Sequence, residues 1–325
     1  MLYPLKFRPI YKQRIWGGNR LASLFNKKSA PANCGESWEI SGLPENISVV
    51  TNGYLKGNNL QELIEVYMGD LVGEKVFDTF GLDFPLLIKL IDATEDLSFQ
   101  VHPGDDYAAE NLESYGKSEL WYVLHAAEGA KLVSGFNRTI TRETLLEKIG
   151  NHSLPEVACY ENAQYGDVFY IPAGRMHSLG KNIVLAEIQQ ASDITYRIWD
   201  FDRFDANGKK RELHIEQALD VLDFSKTVDP RTLYSKLPDK GSSIITTPHF
   251  SCNIVCLFNN LERSYADKDS FVVIICVLGE VNLHYNNEKY NLKKGETILI
   301  PAEISDITYE PDGYTEFLEI FVLME

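Results

Sequence analysis

The chain has 325 residues, of which 44% are hydrophobic and 24% charged, a composition typical of a globular protein with room for two domains. Its formal net charge of −16 argues against nucleic acid and anionic membranes as partners, because both carry dense negative charge. The apolar runs stay well short of the ~20 residues that span a bilayer, the N-terminus lacks the apolar stretch of a signal peptide, and five scattered cysteines are typical of a cytoplasmic protein.

The N-terminal part of the chain is predicted to combine short helices with a buried strand. Residues 59–80 carry apolar side chains at helical spacing and predict one or two short helices, with Gly69 and Gly73 as weak points. Residues 84–91, FPLLIKLI, are a near-continuous apolar run, which is typical of a strand buried on both faces.

Two further strands are predicted to present polar side chains on one face. The run LSFQVH alternates polar and apolar residues, so Ser98, Gln100 and His102 are expected to share a face. The run KSELWYVL predicts another strand, and a period of two places Lys117 and Glu119 on the same side of it.

The second half of the chain changes from mixed structure to strands. Residues 141–150 and 212–224 have helical spacing, and residues 205–210 predict a polar turn. Residues 225–245 are polar and interrupted by prolines, so we expect a linker there. From residue 246 onward almost every segment predicts a strand.

An internal repeat indicates that the chain holds two copies of one all-β unit. Residues 166–177, GDVFYIPAGRMH, predict a strand, a sharp turn and a histidine on the returning strand. A similar pattern, GETILIPAEISD, occupies residues 295–306, and ELWYVLHA from residue 119 aligns with SFVVIICV from residue 270. Many short strands with Gly/Pro turns favour a β-sandwich or barrel for each copy.

A candidate metal site lies in the first copy alone. Four of its residues are predicted to point inward: Gln100, His102, Glu119 and His177. Two imidazoles, a carboxylate and a neutral oxygen donor suit a divalent metal such as zinc. The alternative is that each histidine is an ordinary core or surface residue. The second copy has a serine and an aspartate in place of Glu119 and His177, and this selective loss favours the metal site.

The motifs of the chain resemble a known family. Residues 166–177 match the second cupin motif, G-x5-P-x-G-x2-H, and the chain is similar to the type I mannose-6-phosphate isomerases of the short bacterial form. The segments that carry this resemblance are IWGG (15–18), GESWEIS (35–41), FPLLIKLIDA (84–93), LSFQVHP (97–103), KSELWYVL (117–124), GDVFYIPAGRMHSLG (166–180) and EIQQASDITYRIWDFDR (187–203). The C-terminal third matches only as a degenerate barrel.

The resemblance implies a mainly β fold with two cupin-type β-barrel or jelly-roll units and short helical insertions. We expect a metal-binding catalytic cupin domain at residues 1–224, with insertions at about 59–80, 141–150 and 212–224. Residues 225–245 would be a linker, and residues 246–325 would form a degenerate cupin-like domain.

The resemblance also implies roles for individual residues. In that family the Gln-x-His pair, the glutamate and the later histidine bind zinc, so the four inward residues are expected to hold one Zn²⁺ per chain. The catalytic arginine of the family falls on Arg197, for which a salt bridge with Asp200 or Asp202 is the structural alternative. Ser98 and Lys117 correspond to residues that contact the substrate in the family, which implies that they bind its phosphate group.

The implied reaction interconverts mannose 6-phosphate and fructose 6-phosphate through an enediol intermediate. Moving a proton between C1 and C2 builds charge on oxygen, which a Lewis acid and a fixed cation such as Arg197 stabilise. A proton carrier is also needed. Glu187, ten residues before Arg197, is either that base or a group that positions a partner. A sugar phosphate is the expected partner, and the sequence does not indicate an oligomeric state.

Two other functions are compatible with a cupin fold. A different metal-dependent cupin enzyme, such as a dioxygenase, usually holds iron with three histidines or with two histidines and a carboxylate. Gln100 as a ligand, together with Lys117 and Arg197, argues against it. A non-enzymatic sugar-binding or regulatory cupin is disfavoured because all four ligands and the arginine are present.

Overall fold

The computed structural model describes residues 1–204 and 208–324. Strands dominate this part of the chain, which contains twenty of them and seven α-helices, so the mainly β prediction is confirmed. None of the described helices is long and apolar enough to cross a bilayer. The predicted turn at 205–210 lies partly outside the described residues.

The helices are α1 (Arg20–Phe25), α2 (Leu60–Tyr67), α3 (Gly69–Val72), α4 (Glu74–Phe80), α5 (Asp105–Leu112), α6 (Arg142–Gly150) and α7 (Ile215–Val221). The first eleven strands are β1 (Ile10–Gly18), β2 (Cys34–Ile40), β3 (Leu86–Ala93), β4 (Phe99–Val101), β5 (Glu119–Ala126), β6 (Lys131–Phe136), β7 (Ala158–Asn162), β8 (Val168–Ile171), β9 (His177–Ser178), β10 (Ile183–Gln190) and β11 (Tyr196–Trp199). The remaining strands are β12 (Lys240–Thr246), β13 (Ser251–Leu257), β14 (Leu261–Ser264), β15 (Val272–Leu278), β16 (Glu280–Tyr285), β17 (Glu288–Lys293), β18 (Thr297–Ile300), β19 (Asp306–Pro311) and β20 (Thr315–Phe321).

The chain divides into two compact units, each built from segments that are discontinuous in sequence. Unit 1 comprises Met1–Ile10, Trp38–Leu87 and Leu233–Glu325, and unit 2 comprises Tyr11–Ser37 and Ile88–Thr232. The sequence prediction instead assigns all of residues 1–224 to one domain, and its boundaries stay a prediction. Strand β12 begins at Lys240, inside the predicted linker.

The predicted helical segments contain α2 to α4, α6 and α7. Residues 59–80 form three helices rather than one or two, because the backbone turns to positive φ at Met68 and Gly73. A Cβ atom at Gly73 would lie 2.1 Å from the carbonyl oxygen of Asp269, so this break needs a glycine. Helix α6 follows Thr141, whose hydroxyl accepts a hydrogen bond from the backbone as an N-cap.

Unit 2 is built on two sheets that face each other. The six-stranded sheet has the order β1-β2-β3-β10-β5-β8, and the five-stranded sheet has the order β11-β4-β9-β6-β7. The unit boundaries fall inside β2 and β3. Apolar side chains from both sheets, including Trp121, Phe169 and Leu132, form one core. Helices α6 and α7 pack against Phe99 and Val101 of β4, so the alternate residues of that strand face the six-stranded sheet.

The strands of unit 1 also form a sandwich. A five-stranded sheet with the order β12-β13-β20-β15-β18 shares one apolar core with a four-stranded sheet, β14-β19-β16-β17. In the described part of both units the sheets end in edge strands and do not close on themselves. The two-barrel part of the prediction is therefore not confirmed, since each unit contains a pair of packed open sheets.

One buried polar cluster interrupts the apolar core of unit 1. The Glu319 carboxylate is fully buried and accepts two hydrogen bonds from Arg263, at 2.9 and 2.6 Å. Tyr265 and Asn253 donate to the same carboxylate at 2.9 and 2.7 Å, and the hydroxyl of Tyr309 lies 2.6 Å from that of Tyr265. Because Tyr265 donates to the carboxylate, its oxygen accepts from Tyr309, and the charge of Glu319 is satisfied on every side.

Replacing Tyr265 by phenylalanine is expected to lower the free energy of unfolding by about 1.5–3 kcal/mol, because the buried carboxylate loses a charge-assisted donor. Tyr309→Phe removes only a bond between neutral groups and is expected to cost about 1 kcal/mol. Urea unfolding of the two variants measures the difference. Equal losses would contradict the assignment of the Tyr265 hydroxyl as the donor to Glu319.

Candidate active site

Strand register brings together residues that are distant in sequence. Gln100 in β4 is paired with His177 in β9 on one side and with Arg197 in β11 on the other. Directly opposed side chains project from the same face, so these three residues form a row across the five-stranded sheet. His102 extends that face beyond the end of β4. Ser98 shares it as predicted, with its hydroxyl oxygen 3.5 Å from Oε1 of Gln100.

The six-stranded sheet supplies two buried glutamates. Glu119 begins β5, and Glu187 lies in the neighbouring strand β10 directly opposite Trp121. Glu119 and Trp121 are two residues apart on one strand, so both glutamates lie on the same face. Glu119 is fully buried and Glu187 is 4% exposed. Carboxylates this deeply buried are rare unless a cation or a hydrogen-bond network holds them.

His102, Glu119 and His177 form a buried cluster. Nε2 of His102 lies 3.5 Å from one oxygen of Glu119, and Nε2 of His177 lies 3.3 Å from the other. Nδ1 of His102 is 2.8 Å from the carbonyl of Ile194, and Nδ1 of His177 is 2.9 Å from that of Arg175. Each Nδ1 must donate to its carbonyl, which leaves both Nε2 lone pairs directed toward the carboxylate.

The charge state of this cluster follows from its burial. The pKa of His102 is lowered to about 3, first by burial and then by the positive charge of Lys117. The pKa of His177 is lowered mainly by burial. Burial alone would raise the pKa of Glu119, but Lys117 and the two histidines outweigh it and lower that pKa. The cluster therefore presents two neutral imidazoles and one carboxylate, the protonation states in which these side chains bind metals.

Unpartnered atoms in the cluster fit a bound cation. Within the described residues, Nε2 of His102 and both oxygens of Glu119 are buried without a hydrogen-bond partner, an arrangement that normally costs stability. One ligand atom from each of His102, Glu119 and His177 lies within 4.8 Å of the others. Nε2 of Gln100 is 3.1 Å from Nε2 of His177, so exchanging the oxygen and nitrogen of that amide would turn an oxygen toward the cluster.

A cleft of about 470 Å³ opens beside this cluster. Five of the eight predicted site residues line it: Ser98, Gln100, Lys117, Glu187 and Arg197. Lys117 connects the cleft to the cluster, because its Nζ lies 3.6 Å from an oxygen of Glu119. The fold therefore brings the predicted site residues to one place.

Arg197 lines the cleft without a carboxylate partner in the described part of the chain. Its Nη1 donates to the carbonyl of Glu212 at 2.8 Å, and its Nε is buried without a partner. Asp200 and Asp202, the predicted alternatives, form ion pairs with other basic side chains. Burial and the neighbouring charge of Arg211 lower the pKa of Arg197. Its guanidinium is thus held in the cleft by backbone contacts rather than neutralised by an acid.

Glu187 is held by two donors at the wall of the cleft. The indole N–H of Trp121 donates to one carboxylate oxygen at 2.9 Å, and Nζ of Lys89 lies 3.2 Å from the other. Burial and the charge of Glu119 raise the pKa of Glu187, although Lys89 and Lys117 oppose this shift. Burial alone would lower the pKa of Lys89, but Glu187 and other carboxylates raise it. A fixed carboxyl group with a raised pKa is suited to proton transfer.

Several residues of the cleft were not identified from the sequence. Lys89 could have been identified, because a single lysine inside the apolar run FPLLIKLI is expected to pair with a buried acidic group. Arg14 and Glu36 form a two-fold hydrogen-bonded ion pair at the cleft, at 2.9 and 3.0 Å, which only the pairing of their strands reveals. Arg211 also lines the cleft, and nothing in its local sequence distinguishes it from a surface arginine.

Comparison with known proteins gives a consistent result. Residues 4–117 match the family model described as phosphomannose isomerase type I, catalytic domain, and residues 242–315 match that of the mannose-6-phosphate isomerase cupin domain. The chain is 36% identical over 321 residues to mannose-6-phosphate isomerase ManA of Bacillus subtilis, covering 96% of this chain and 97% of that protein. It is 34% identical over 313 residues to mannose-6-phosphate isomerase of Streptococcus mutans, covering 96% of each chain.

A solved structure resembles the whole chain. The crystal structure of mannose 6-phosphate isomerase from Bacillus subtilis matches with a TM-score of 0.87 and 33% sequence identity. The match covers 98% of this chain and 99% of that one. The similarity therefore extends over both units rather than over one domain.

Proposed function

The chain belongs to the type I mannose-6-phosphate isomerases, and we propose that it interconverts mannose 6-phosphate and fructose 6-phosphate through an enediol intermediate, with one zinc ion per chain. The observation that carries the proposal is the buried His102–Glu119–His177 cluster, in which Nε2 of His102 and both carboxylate oxygens of Glu119 lack hydrogen-bond partners in the described residues. The cluster adjoins a cleft with several charged side chains, which suits a polar, anionic substrate.

The proposed metal ligands are Gln100, His102, Glu119 and His177. Two imidazole nitrogens and oxygen donors match the ligand types that zinc accepts in catalytic sites. The hydrogen bonds from each Nδ1 to a backbone carbonyl fix the rings in the orientation that a metal ligand needs. When bound, zinc supplies a Lewis acid that polarises the oxygens of the sugar.

The proposed roles of the other residues follow from their positions. Glu187 moves the proton between C1 and C2, since its carboxylate faces the cleft and has a raised pKa. Arg197 stabilises the negative charge that develops on oxygen, because its guanidinium is fixed and has no acidic partner in the described chain. Ser98 and Lys117 contact the substrate from the wall next to Gln100.

The C-terminal sandwich of unit 1 is proposed to be a degenerate cupin without a metal. A serine, Ser270, aligns with Glu119, and its hydroxyl donates to the carbonyl of Phe271. The interior of this sandwich is filled by apolar side chains and by the Arg263–Glu319 cluster. Its role would be packing rather than chemistry.

The alternatives differ in measurable ways. The relatives of this chain are mannose-6-phosphate isomerases, which does not support the non-enzymatic cupin.

Isomerisation in D₂O distinguishes the proposed enediol mechanism from a direct hydride shift. An enediol whose transferred proton exchanges with solvent gives deuterium at C1 of fructose 6-phosphate, whereas a hydride shift leaves C1 unlabelled. Deuterium at C1 would exclude the hydride shift. Unlabelled product from the wild type, together with wild-type turnover in Glu187→Gln, would contradict the proton-transfer role of Glu187.

Replacing Arg197 by alanine is expected to lower kcat about 100- to 1000-fold, the usual effect of removing one donor that stabilises a developing oxyanion. KM should change much less, because that charge is present only in the transition state. Arg197→Lys should recover part of the activity. Arg142→Ala, which removes an exposed ion pair between α6 and α7, is the control and should keep wild-type kinetics. Wild-type turnover in Arg197→Ala would contradict the proposed role of Arg197 in stabilising the developing negative charge.

A further inference from the structure

Two arginines share one buried aspartate beside the cleft. Asp200 directly follows β11 and is 4% exposed. Arg203 and Arg211 both contact its Oδ1 through Nη2, and Nε of Arg211 also donates to Oδ2 at 2.7 Å. A buried carboxylate that binds two guanidinium groups fixes both of them in position.

The two arginines differ in what their remaining N–H groups face. Arg211 lines the cleft, whereas Arg203 is not among the residues that line it and donates through Nη1 to the carbonyl of Asp96. Arg203 also stacks on the ring of Phe201, with 5.1 Å from its guanidinium carbon to the ring centroid. In the described part of the chain, Nη1 of Arg211 has no hydrogen-bond partner.

The cleft carries an excess of positive charge at this end. Glu36 is paired with Arg14, and Glu187 with Lys89. Asp193 lies 4.0 Å from Nζ of Lys89. Lys117 in turn contacts Glu119. Arg197 and Arg211 have no acidic partner among the described residues that line the cleft. Arg211 shares the single carboxylate of Asp200 with Arg203, so these three side chains together keep a net positive charge.

Repulsion between these two guanidinium groups contributes to the lowered pKa of Arg197. Asp200, which anchors Arg211, lies three residues beyond Arg197, and Arg197 lies opposite Gln100. Arg197 is thus next to the proposed metal ligand Gln100, and Arg211 is close enough to Arg197 for their charges to interact. An anion bound at Arg211 would relieve the repulsion, and a planar guanidinium can hold a phosphate through two parallel hydrogen bonds.

We propose that Arg211, positioned by Asp200, binds the phosphate group of the sugar phosphate in the cleft. The proposal rests on the proposed function, because it takes the same cleft as the substrate site. It differs from the expectation that Ser98 and Lys117 bind the phosphate. The hydroxyl of Ser98 lies 3.5 Å from Oε1 of Gln100 and Nζ of Lys117 lies 3.6 Å from an oxygen of Glu119, so both are assigned to the hydroxyl groups of the sugar near the metal ligands. In a chain with a net charge of −16, such a local pair of arginines is needed to attract an anionic substrate.

The test compares Arg211→Ala with Arg203→Ala, since both variants remove one partner of Asp200 but only the first removes a cleft residue. Arg211→Ala is expected to raise KM for mannose 6-phosphate roughly 10- to 100-fold, with kcat changed less than about threefold. The inhibition constant of inorganic phosphate should rise by a similar factor. Arg203→Ala should leave both constants near wild type. Arg211→Lys should restore part of the phosphate affinity, and it replaces the alanine variant if that protein fails to fold.

Equal effects of the two alanine variants, or an unchanged inhibition constant for phosphate in Arg211→Ala, would overturn the proposal. The kinetics of Arg197→Ala show whether only the phosphate assignment is wrong or whether the proposed function is wrong as well. If Arg197→Ala loses turnover while Arg211→Ala keeps its phosphate affinity, only the phosphate assignment is wrong. If both variants behave as wild type, the cleft itself is not the substrate site.

Discussion

Removal of the metal by a chelator is expected to abolish isomerisation, and addition of zinc is expected to restore it. A Lewis acid contributes several kcal/mol of charge stabilisation, so the loss should reach about a thousandfold or more. The inward atoms of His102 and Glu119 have no hydrogen-bond partner elsewhere in the described chain. We therefore expect metal analysis of the purified protein to give one zinc per chain, and a coupled assay with mannose 6-phosphate to follow the zinc content.

His177→Ala tests the same site without relying on turnover. Zinc that binds only the folded protein should stabilise the wild type by about 3–4 kcal/mol at concentrations 100 to 1000 times its Kd. The gain in Tm should be absent in His177→Ala, which loses an imidazole ligand. His125→Ala is the matched control, because His125 lies on the same strand as Glu119 but is exposed. It should keep the metal, the Tm gain and the activity.

Two outcomes would contradict this prediction. Full turnover by the chelated protein, with no metal detected, would exclude a catalytic role for the cluster. Iron in the purified protein together with oxygen uptake would instead favour a different metal-dependent cupin enzyme. In either case the buried carboxylate of Glu119 would need another explanation.

The proposed metal ligands were predictable as a group because each of them lies in a short local pattern. Alternation in LSFQVH places Gln100 and His102 on one strand face, and the G-x5-P-x-G-x2-H spacing delivers His177 from a turn. The second sequence copy has Ser270 and Asp306 in place of Glu119 and His177, so comparing the two copies indicates that the first one carries the proposed metal ligands. The alignment of Gln100 between His177 and Arg197 was not predictable, since strand register depends on pairings between distant segments.

The acidic and basic partners around the cleft show the limit of local patterns. Asp200 and Asp202, three and five residues beyond Arg197, are its nearest acidic neighbours in that direction along the chain and were the expected salt-bridge partners. The fold instead gives Asp200 to Arg203 and Arg211. A charged side chain can reach many neighbours once the chain is folded, so sequence proximity alone does not select its partner.

Whether the sheets close into barrels and where the units end also depend on contacts between segments that are distant in sequence. Short strands with Gly/Pro turns indicate the strand content of the sheets but not which strands form their edges. The N-terminal residues Met1–Ile10 belong to unit 1 together with Leu233–Glu325, an association for which the local sequence gives no signal. The helices were easier to predict from the sequence than the sheet edges. Their apolar spacing and their caps, such as Thr141 before α6, are local features of the chain.

Replacing Lys89 by methionine is expected to lower the free energy of unfolding by about 3–5 kcal/mol, the usual cost of leaving one member of a buried ion pair alone. Lys89 is 3% exposed and lies 3.2 Å from the carboxylate of Glu187 and 2.8 Å from the amide oxygen of Gln189. Methionine has a similar volume, so the loss reports the charge rather than a cavity. Urea unfolding measures it.

The same variant should change the pH dependence of catalysis. The cation of Lys89 favours the ionised form of Glu187, so its removal raises the pKa of that carboxyl group. If Glu187 must be ionised to accept the proton, the acidic limb of kcat/KM should move to higher pH, by about one to three units. Lys236→Met is the control, because Lys236 pairs with the buried carboxylate of Glu316 in unit 1. It should lose stability without a shift of the pH profile.

The double variant Lys89→Met/Glu187→Gln separates the electrostatic effect from the chemical one. If the single variant is unstable because the Glu187 carboxylate is left unpaired, neutralising that group should recover most of the lost stability. Activity should nevertheless stay low, because the amide cannot accept the proton. Recovery of turnover in the double variant would mean that Glu187 only positions other groups. A wild-type pH profile in Lys89→Met would mean that Lys89 serves the fold alone.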